Sequence, residues 1–457
     1  MLTFQDFEKA SDKVEFIAKL IREHEDDEFV KLAHEANEYD KQKNTTIRNF
    51  VQMLYTASGA KMQNVVASNN KRASNLFRRL NVQRCTYSLG NGVTFEKEGA
   101  KEKLGGDKFD TELKDAAYKA LIHGVSFMFL NVDSVHVFPV TEFAPLYDEH
   151  TGALRAGVRF WQIDANKPQT ATLFEEDGYT VYVAEKGKKF EKKEEKRAYK
   201  QTLSAAPVDS VAEVVEEENY SFLPIVPLWG STLHQSTLVG LKDGIDNYDL
   251  ISNGWCNDIR DCAQVYWLME NYGGMTETDK AKLRSDLLYH HIAVVDTTMG
   301  GKITPYAQDI PYAAREAYLK MLKNDIYEDF GGLYVHNISA AQKTATEITA
   351  AYQPMDENAD DFEFQIIQST QQLLALVGVE DTPQFKRNRI ANQLEEVEMV
   401  MMERDLLGDE YTLRKLPNVT PEEADAILKQ RDELDLERFD NGEDKKPPED
   451  GEVIDDA

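Results

Sequence analysis

Carboxylates at helical spacing are the side chains of this sequence best arranged to do chemistry. Asp243, Asp246 and Asp249 recur every three residues, and Asn253, Asn257, Asp258 and Asp261 follow them. Hard oxygen ligands in such a run could hold a divalent cation, as a metal-dependent nuclease requires. A simple solvated helix face has the same pattern. A second acidic cluster, Asp356, Glu357, Asp360 and Asp361, follows Pro354. His290 and His291 are adjacent, and neighbours on a regular strand point to opposite faces, so they do not share one ion. There is no GxxxxGK[ST] string to cradle phosphates, so an intrinsic ATP motor is not expected. HExxH, paired Cys/His spacing, GxGxxG and GxSxG are missing too. The sequence therefore offers no signal for an enzyme or a cofactor.

The first acidic run lies in Ser231–Leu268, which reads as one unusually long helix. Leu238, Leu241, Ile245, Tyr248, Trp255, Ile259, Cys262 and Tyr266 mark its apolar stripe. At about 1.5 Å per residue it would span roughly 55 Å. Gly244 and Gly254 each cost about 1 kcal/mol relative to Ala, so neighbours must hold the helix. Either it belongs to a helical bundle, or it packs beside copies of itself in a ring.

Upstream, residues 4–42 read as amphipathic helices broken near Glu25-Asp26-Asp27. Residues 64–80 read as further helix. Lys71, Arg72, Arg78, Arg79 and Arg84 form the densest positive cluster, either a solvated face paired with the acidic remainder or a phosphate or partner contact. Gly90-Asn91-Gly92 reads as a turn between two short strands, and 110–123 as a helix stopped by Gly124. From Val125 the period becomes two, predicting a mostly antiparallel meander. Residues 186–220 form a charge-rich insertion, and Leu223–Trp229 leads, extended, into the long helix.

Downstream, Gly273-Gly274 and Gly300-Gly301 bound a small excursion with a helix from Glu277 to Leu288 and strands near 291–296 and 302–305. A second helix begins at Pro311 and stops at Gly331-Gly332. Residues 344–352 are helical, QPMDENADD interrupts at Pro354, and helix resumes from Asp361. Residues 385–437 are helical, with Thr420 and Glu423 in a capping arrangement. The acidic tail 438–457 is expected to be disordered.

The chain has 457 residues, 42% of them hydrophobic and 29% charged, and a formal net charge of −29. Such a balance argues against a surface that grips nucleic acid all over, but does not exclude one that must let nucleic acid pass without sticking. Cys85, Cys256 and Cys262 form no CxxC pair and read as reduced, buried thiols of a cytosolic compartment. No N-terminal signal peptide and no membrane-spanning run is expected.

Several segments in order carry a family resemblance: AYKALIHGVSFMFLNVD with FAPLYDEHTGALRAGVRFW; KDGIDNYDLISNGWCNDIRDCAQVYWLMENYGG after Trp229; TATEITAAYQPMDENADDFEFQIIQSTQQLLAL; and FKRNRIANQLEEVE with LPNVTPEEADAIL. Over most of its length the chain resembles the portal proteins of tailed bacteriophages. The resemblance implies an α+β portal-type fold and a twelve-subunit ring at one capsid vertex. It implies a wing (1–230), a stem helix (231–268), a clip (269–310), a second stem helix (311–331), a wing return (332–384) and a helical crown (385–437).

The same resemblance implies a conduit for double-stranded DNA, docked by the terminase large subunit and then a head-completion adaptor, within major capsid and scaffolding proteins. It makes 353–361 a tunnel loop whose Pro354, Met355, Asp356, Glu357, Asn358, Asp360 and Asp361 face DNA. It makes Asp243, Asp246, Asp249 and Asn253 a channel-lining or outer stem surface. Glu277, Lys280, Lys282 and Arg284 become clip docking residues. A ring of carboxylates would repel phosphate within about 8–10 Å at physiological salt, which suits a conduit. A metal-dependent nuclease of the packaging machinery is the alternative, and the Asp243–Asp249 run is its one candidate site.

Overall fold

The computed structural model describes residues 2–55, 59–64, 68–203, 214–262, 266–270, 276–285, 302–306, 312–334, 345–389, 400–402, 404, 408–416, 419 and 423–431. The expected strand at 291–296, the capping Thr420 and the tail 438–457 lie outside them.

The N-terminal helices follow from their caps and periodicity. Thr3 caps α1 (Phe4–Lys9), Asp12 caps α2 (Lys13–Asp26), and Asp27 both ends α2 and caps α3 (Glu28–Asp40). Asn44 caps the short α4 (Thr45–Asn49). A hairpin follows, β1 (Met53–Tyr55) against β2 (Lys61–Gln63). Helix α5 (Leu76–Leu89) then runs to Leu89. The strand expected before Gly90 is therefore helix, because Phe77, Leu80, Asn81, Cys85 and Ser88 bury one face at helical spacing. Only β3 (Val93–Thr94) is a strand there, paired with β16 (Gln384–Phe385).

Helix α6 (Asp107–His123) ends at Gly124, whose φ of 94° and tight contacts with Phe29 and the 235–236 backbone exclude a side chain. The single meander expected after it is divided between two sheets. Strands β4 (Val125–Asn131) and β5 (Ser134–Pro139) form a three-stranded sheet with β13 (Ile225–Trp229), in the order β13-β4-β5. A short 3₁₀ turn at Val140–Glu142 then carries the chain into β6 (Phe143–Tyr147), β7 (Leu154–Trp161), β8 (Gln169–Glu175), β9 (Gly178–Ala184) and β10 (Glu191–Lys192). These five make an antiparallel sheet of sequential neighbours. Within the 186–220 insertion, β11 (Lys200–Leu203) pairs with β12 (Val214–Glu218).

The two sheets have separate cores. Helices α1 and α2 lay Phe7, Phe16, Ile17 and Leu20 on Leu146, Val158, Phe160 and Leu173 of the five-stranded sheet. The larger core joins α6 and the three-stranded sheet to Phe362, Ile366, Leu373 and Leu374. Those four belong to α10 (Ala345–Leu376), a helix of 32 residues with Pro354 inside it.

Helix α7 (Leu238–Cys262) is shorter than expected, 25 residues against the whole of 231–268. At its start His234 has a φ of 52° and stacks on Trp229 at 4.0 Å, and Ser236 Oγ accepts from Leu238 N at 3.1 Å. Within the rest of the expected helix, Tyr266–Glu270 is instead strand β14, paired with β15 (Lys302–Tyr306). At about 1.5 Å per residue, α7 spans roughly 37 Å.

Candidate functional site

Helix α7 runs antiparallel to α9 (Tyr312–Phe330). Early α7 meets late α9, where Gly244 lets Ile326 approach so closely that an added Cβ would sit 3.1 Å from it. Late α7 meets early α9, where Trp255 packs edge-on to Tyr312 and Arg315 pairs with Asp258. At the shared base, Leu238, Leu241 and Ile245 join Ile326, Tyr327 and Phe330 in one core with Phe77 and Leu80 of α5. In sequence, the paired strands β14 and β15 follow α7 and precede α9. Helix α8 (Glu277–Ser285) lies in the connection between β14 and β15, and the expected end at Leu288 falls outside the described residues.

The acidic face of α7 is neither solvated nor lining an open surface, contrary to the expectation for Asp246, Asp249 and Asn253. These three are 8%, 2% and 5% exposed. Asp246 accepts from Tyr39, from Asn44 at 2.9 Å and from Thr46 at 2.7 Å, and pairs with Lys242 at 2.7 Å. Asp249 accepts from Asn44 Nδ2 at 2.9 Å and from the Ser74 amide at 3.0 Å. One and two turns on, Asn253 and Asn257 accept from the amides of Arg72 and Asn70 at 2.9 and 2.8 Å. Alternate amides of an extended segment, about 6.6 Å apart, are thus held by side chains one helical turn, about 6 Å, apart. Asp243 alone of the run is exposed.

Electrostatics follow from that packing. Burial would raise Asp246, but its bonds from Lys242, Tyr39 and Thr46 prevail and hold it below the ordinary carboxylate value. Asp249, more deeply buried and without a cation, is pushed up. Asp246 and Asp249 are thus both occupied by protein donors. Among the described residues no group of three His, Cys, Asp or Glu is arranged to hold a metal ion.

The segment 353–361 is helix, not a loop. Pro354 removes one N–H, but Met355 and Ala359 are buried against Tyr87, Leu333 and Tyr352, and that packing carries α10 through. Asp356 accepts from Tyr87 Oη at 2.6 Å and pairs with Arg387 at 3.1 Å and Arg389 at 2.7 Å. Arg387 also holds Glu363 at 2.8 Å and contacts Asp360. Burial would raise Asp356, but Tyr87 and Arg389 lower it on balance. Asn358 donates to the Pro354 and Phe330 carbonyls. Asp361 Oδ2 accepts from the Thr232 amide at 3.2 Å. Of the seven residues named for this segment, Pro354, Glu357 and Asp360 are exposed.

In α8, Glu277, Lys280 and Lys282 are exposed, and Glu277 and Lys280 pair at 2.8 Å. Arg284 lies on the same helix, and its side chain is outside the described set. The basic cluster is dispersed. Arg78 pairs with Asp40 at 3.1 Å, Lys71 donates to the Arg48 carbonyl, and Arg84 donates to the Phe330 carbonyl at 2.7 Å beneath the Phe330 ring. Burial pulls Arg84 down to about 10. Arg72 and Arg79 remain exposed.

Sequence reasoning missed Asn44, Tyr39, Tyr87, Arg387 and Arg389, each far along the chain from its partner. Only the Arg387-x-Arg389 spacing was visible, and nothing in it named Asp356.

The family model described as "Phage portal protein, SPP1 Gp6-like" matches residues 19–435. A portal protein of Clostridium phage phiCD119 is 23% identical over 229 residues, covering 48% of this chain and 50% of that protein. The portal protein of Bacillus phage SPP1 is 23% identical over 333 residues, covering 68% of this chain and 61% of that protein. The matches thus span half to about three fifths of those relatives. Among solved structures, a chain from the neck of a native GTA particle, computed with C12 symmetry, aligns at a TM-score of 0.44 with 11% identity, over 76% of this chain and 90% of its own. A chain from the virion of a native gene transfer agent particle aligns at 0.40 with 12% identity, over 78% and 90%.

Proposed function

The chain belongs to the SPP1 Gp6-like phage portal proteins, and from that membership we propose that twelve copies form a ring at one capsid vertex. The ring is a conduit for double-stranded DNA during packaging and ejection, and a separate terminase supplies the energy. The family match along residues 19–435 carries this reading. The antiparallel α7–α9 pair is the stem, rooted in a wing made of the two sheets and α1–α6. The 269–310 excursion is the clip. The exposed Glu277, Lys280 and Lys282 of α8, with Arg284, are its docking residues for the terminase large subunit and then the head-completion adaptor. Residues 385–437 are the crown, within a shell of major capsid and scaffolding proteins in the virion, assembled in the host cytoplasm.

Of the 353–361 segment, the surface open to passing DNA is the exposed one: Gln353, Pro354, Glu357 and Asp360. Negative charge there, repeated round a ring, keeps phosphates from binding and stalling. Electron microscopy of the purified chain tests the ring: rings with an axial hole as wide as a DNA duplex are expected, and monomers or dimers alone under assembly conditions would sink it. Replacing Gln353 and Glu357 by Lys, both clear of the Asp356 network, tests the DNA-facing surface. Packaging is expected to slow while rings still form; unchanged packaging removes the assignment.

A further inference from the structure

Between Asp40 and Glu96 the chain carries nine Lys and Arg and no Asp or Glu, although it holds 81 acidic residues in all. The middle of that stretch, from Phe50 to Asn70, has a single charged residue, Lys61. It contains the hairpin β1–β2, whose Met53 and Met62 are 54% and 58% exposed. The register sets Met53 opposite Gln63 and Leu54 opposite Met62, so the two methionines lie on opposite faces of the ribbon. Apolar side chains on both faces meet solvent, and a two-stranded hairpin is at best marginally stable alone in water. Its roots are fixed all the same. Asn44 and Thr46 hold one end to Asp246, and Asn70, Arg72 and Ser74 hold the other along α7. The hairpin is therefore an arm that leaves the stem helix at a set place, with exposed Arg48 and Arg72 at its base.

We propose that this arm docks on the acidic surface of a second copy of the chain. The inference rests on the ring reading and adds which element makes the subunit contact. Charge selects the occupant. All 81 acidic residues lie outside the segment 41–95, so a neighbouring copy presents the complement of the arm's cationic base. Two copies that each carry a net charge of −29 repel on average, and contact falls where acids are absent. DNA fits less well. Phosphate recognition wants a dense row of cations, whereas the arm offers one lysine among exposed Val51, Met53 and Met62. An apolar centre with a polar rim is the pattern of a protein interface.

Methionine oxidation of the full-length chain tests this without any substitution. Dilute peroxide is applied to assembled and to dissociated protein, and sulfoxide is read at each methionine by mass spectrometry. Met53 and Met62 are expected to oxidise about tenfold more slowly in the assembly, while buried Met128 is slow in both states. Assemblies in which Met53 and Met62 oxidise as fast as in the dissociated chain overturn the arm and leave the ring reading standing. A chain that never assembles overturns both. Protection of the dissociated chain by added duplex DNA gives the arm to DNA and overturns the proposal. A Met53→Asp, Met62→Asp variant with an unchanged circular dichroism spectrum should assemble more weakly, and equal assembly counts against it.

Discussion

Asn253 grips the backbone of Arg72 with both ends of its amide: Oδ1 accepts from Arg72 N at 2.9 Å, and Nδ2 donates to Arg72 O at 2.7 Å. A side chain thus stands in for a β-strand partner, and it joins α7 to a segment 181 residues earlier. Replacing Asn253 by Leu leaves both Arg72 groups without protein partners at a half-buried position. The expected cost is about 1–3 kcal/mol, read as a lower urea midpoint, and the Arg72 amide should exchange with solvent faster. Unchanged exchange at Arg72 would show that the contact does not form in solution.

The Arg387 network couples the chain beyond β16 to α10. Arg387→Ala leaves Glu363, 8% exposed, without its cation. An uncompensated carboxylate in that setting costs about 2–4 kcal/mol. In a Glu363→Gln background the same substitution should cost less, with a coupling above about 1 kcal/mol in a double-mutant cycle. Additive effects would mean that the two groups are independent.

His123, at the end of α6, gives the fold a pH dependence. It is 3% exposed, its Nε2 donates to Asn37 Oδ1 at 2.9 Å, and its Nδ1 has no partner among the described residues. Burial, with Lys119 and His34 nearby, pulls it down to about 4. Its folded value lies below the unfolded one of about 6.5, so the unfolded chain takes up the proton first. Stability is therefore intact above about 6.5 and falls as the pH drops toward 4, by roughly 2–3 kcal/mol from this one group. Urea midpoints at pH 7.5 and 4.5 should converge in His123→Gln relative to the parent. Equal pH slopes would remove the assignment.

Gly331 closes α9. Its φ is 64°, Gly332 N donates to the Tyr327 carbonyl at 2.8 Å, and a Cβ on Gly331 would run into the Asn358 side chain. Gly331→Ala is expected to cost about 1–3 kcal/mol from backbone strain and that clash. A further Asn358→Ala change should recover the clash and leave the strain. Thermal melts of the two variants separate these contributions.

The helices and strands were largely legible because their signals are local. The break near Glu25-Asp26-Asp27, Gly124 as a stop and the alternation after Val125 each depend on a few neighbouring residues, and the structure places them as expected. The interruption expected at Pro354 failed because a local breaker was outweighed by the burial of Met355 and Ala359 against Tyr87 and Leu333. The helix expected to Leu268 failed because the pairing of Tyr266–Glu270 with Lys302–Tyr306 depends on residues 32 or more positions away.

The functional surfaces divide in the same way. The order of segments along the chain was enough to place it in its family. Periodicity put Asp246, Asp249 and Asn253 on one polar stripe, but a polar stripe looks the same whether water or backbone amides satisfy it. Only the tertiary structure decided that it grips residues 44–46 and 70–74, since hydrogen bonds between segments about 180–200 residues apart leave no periodic trace in either one.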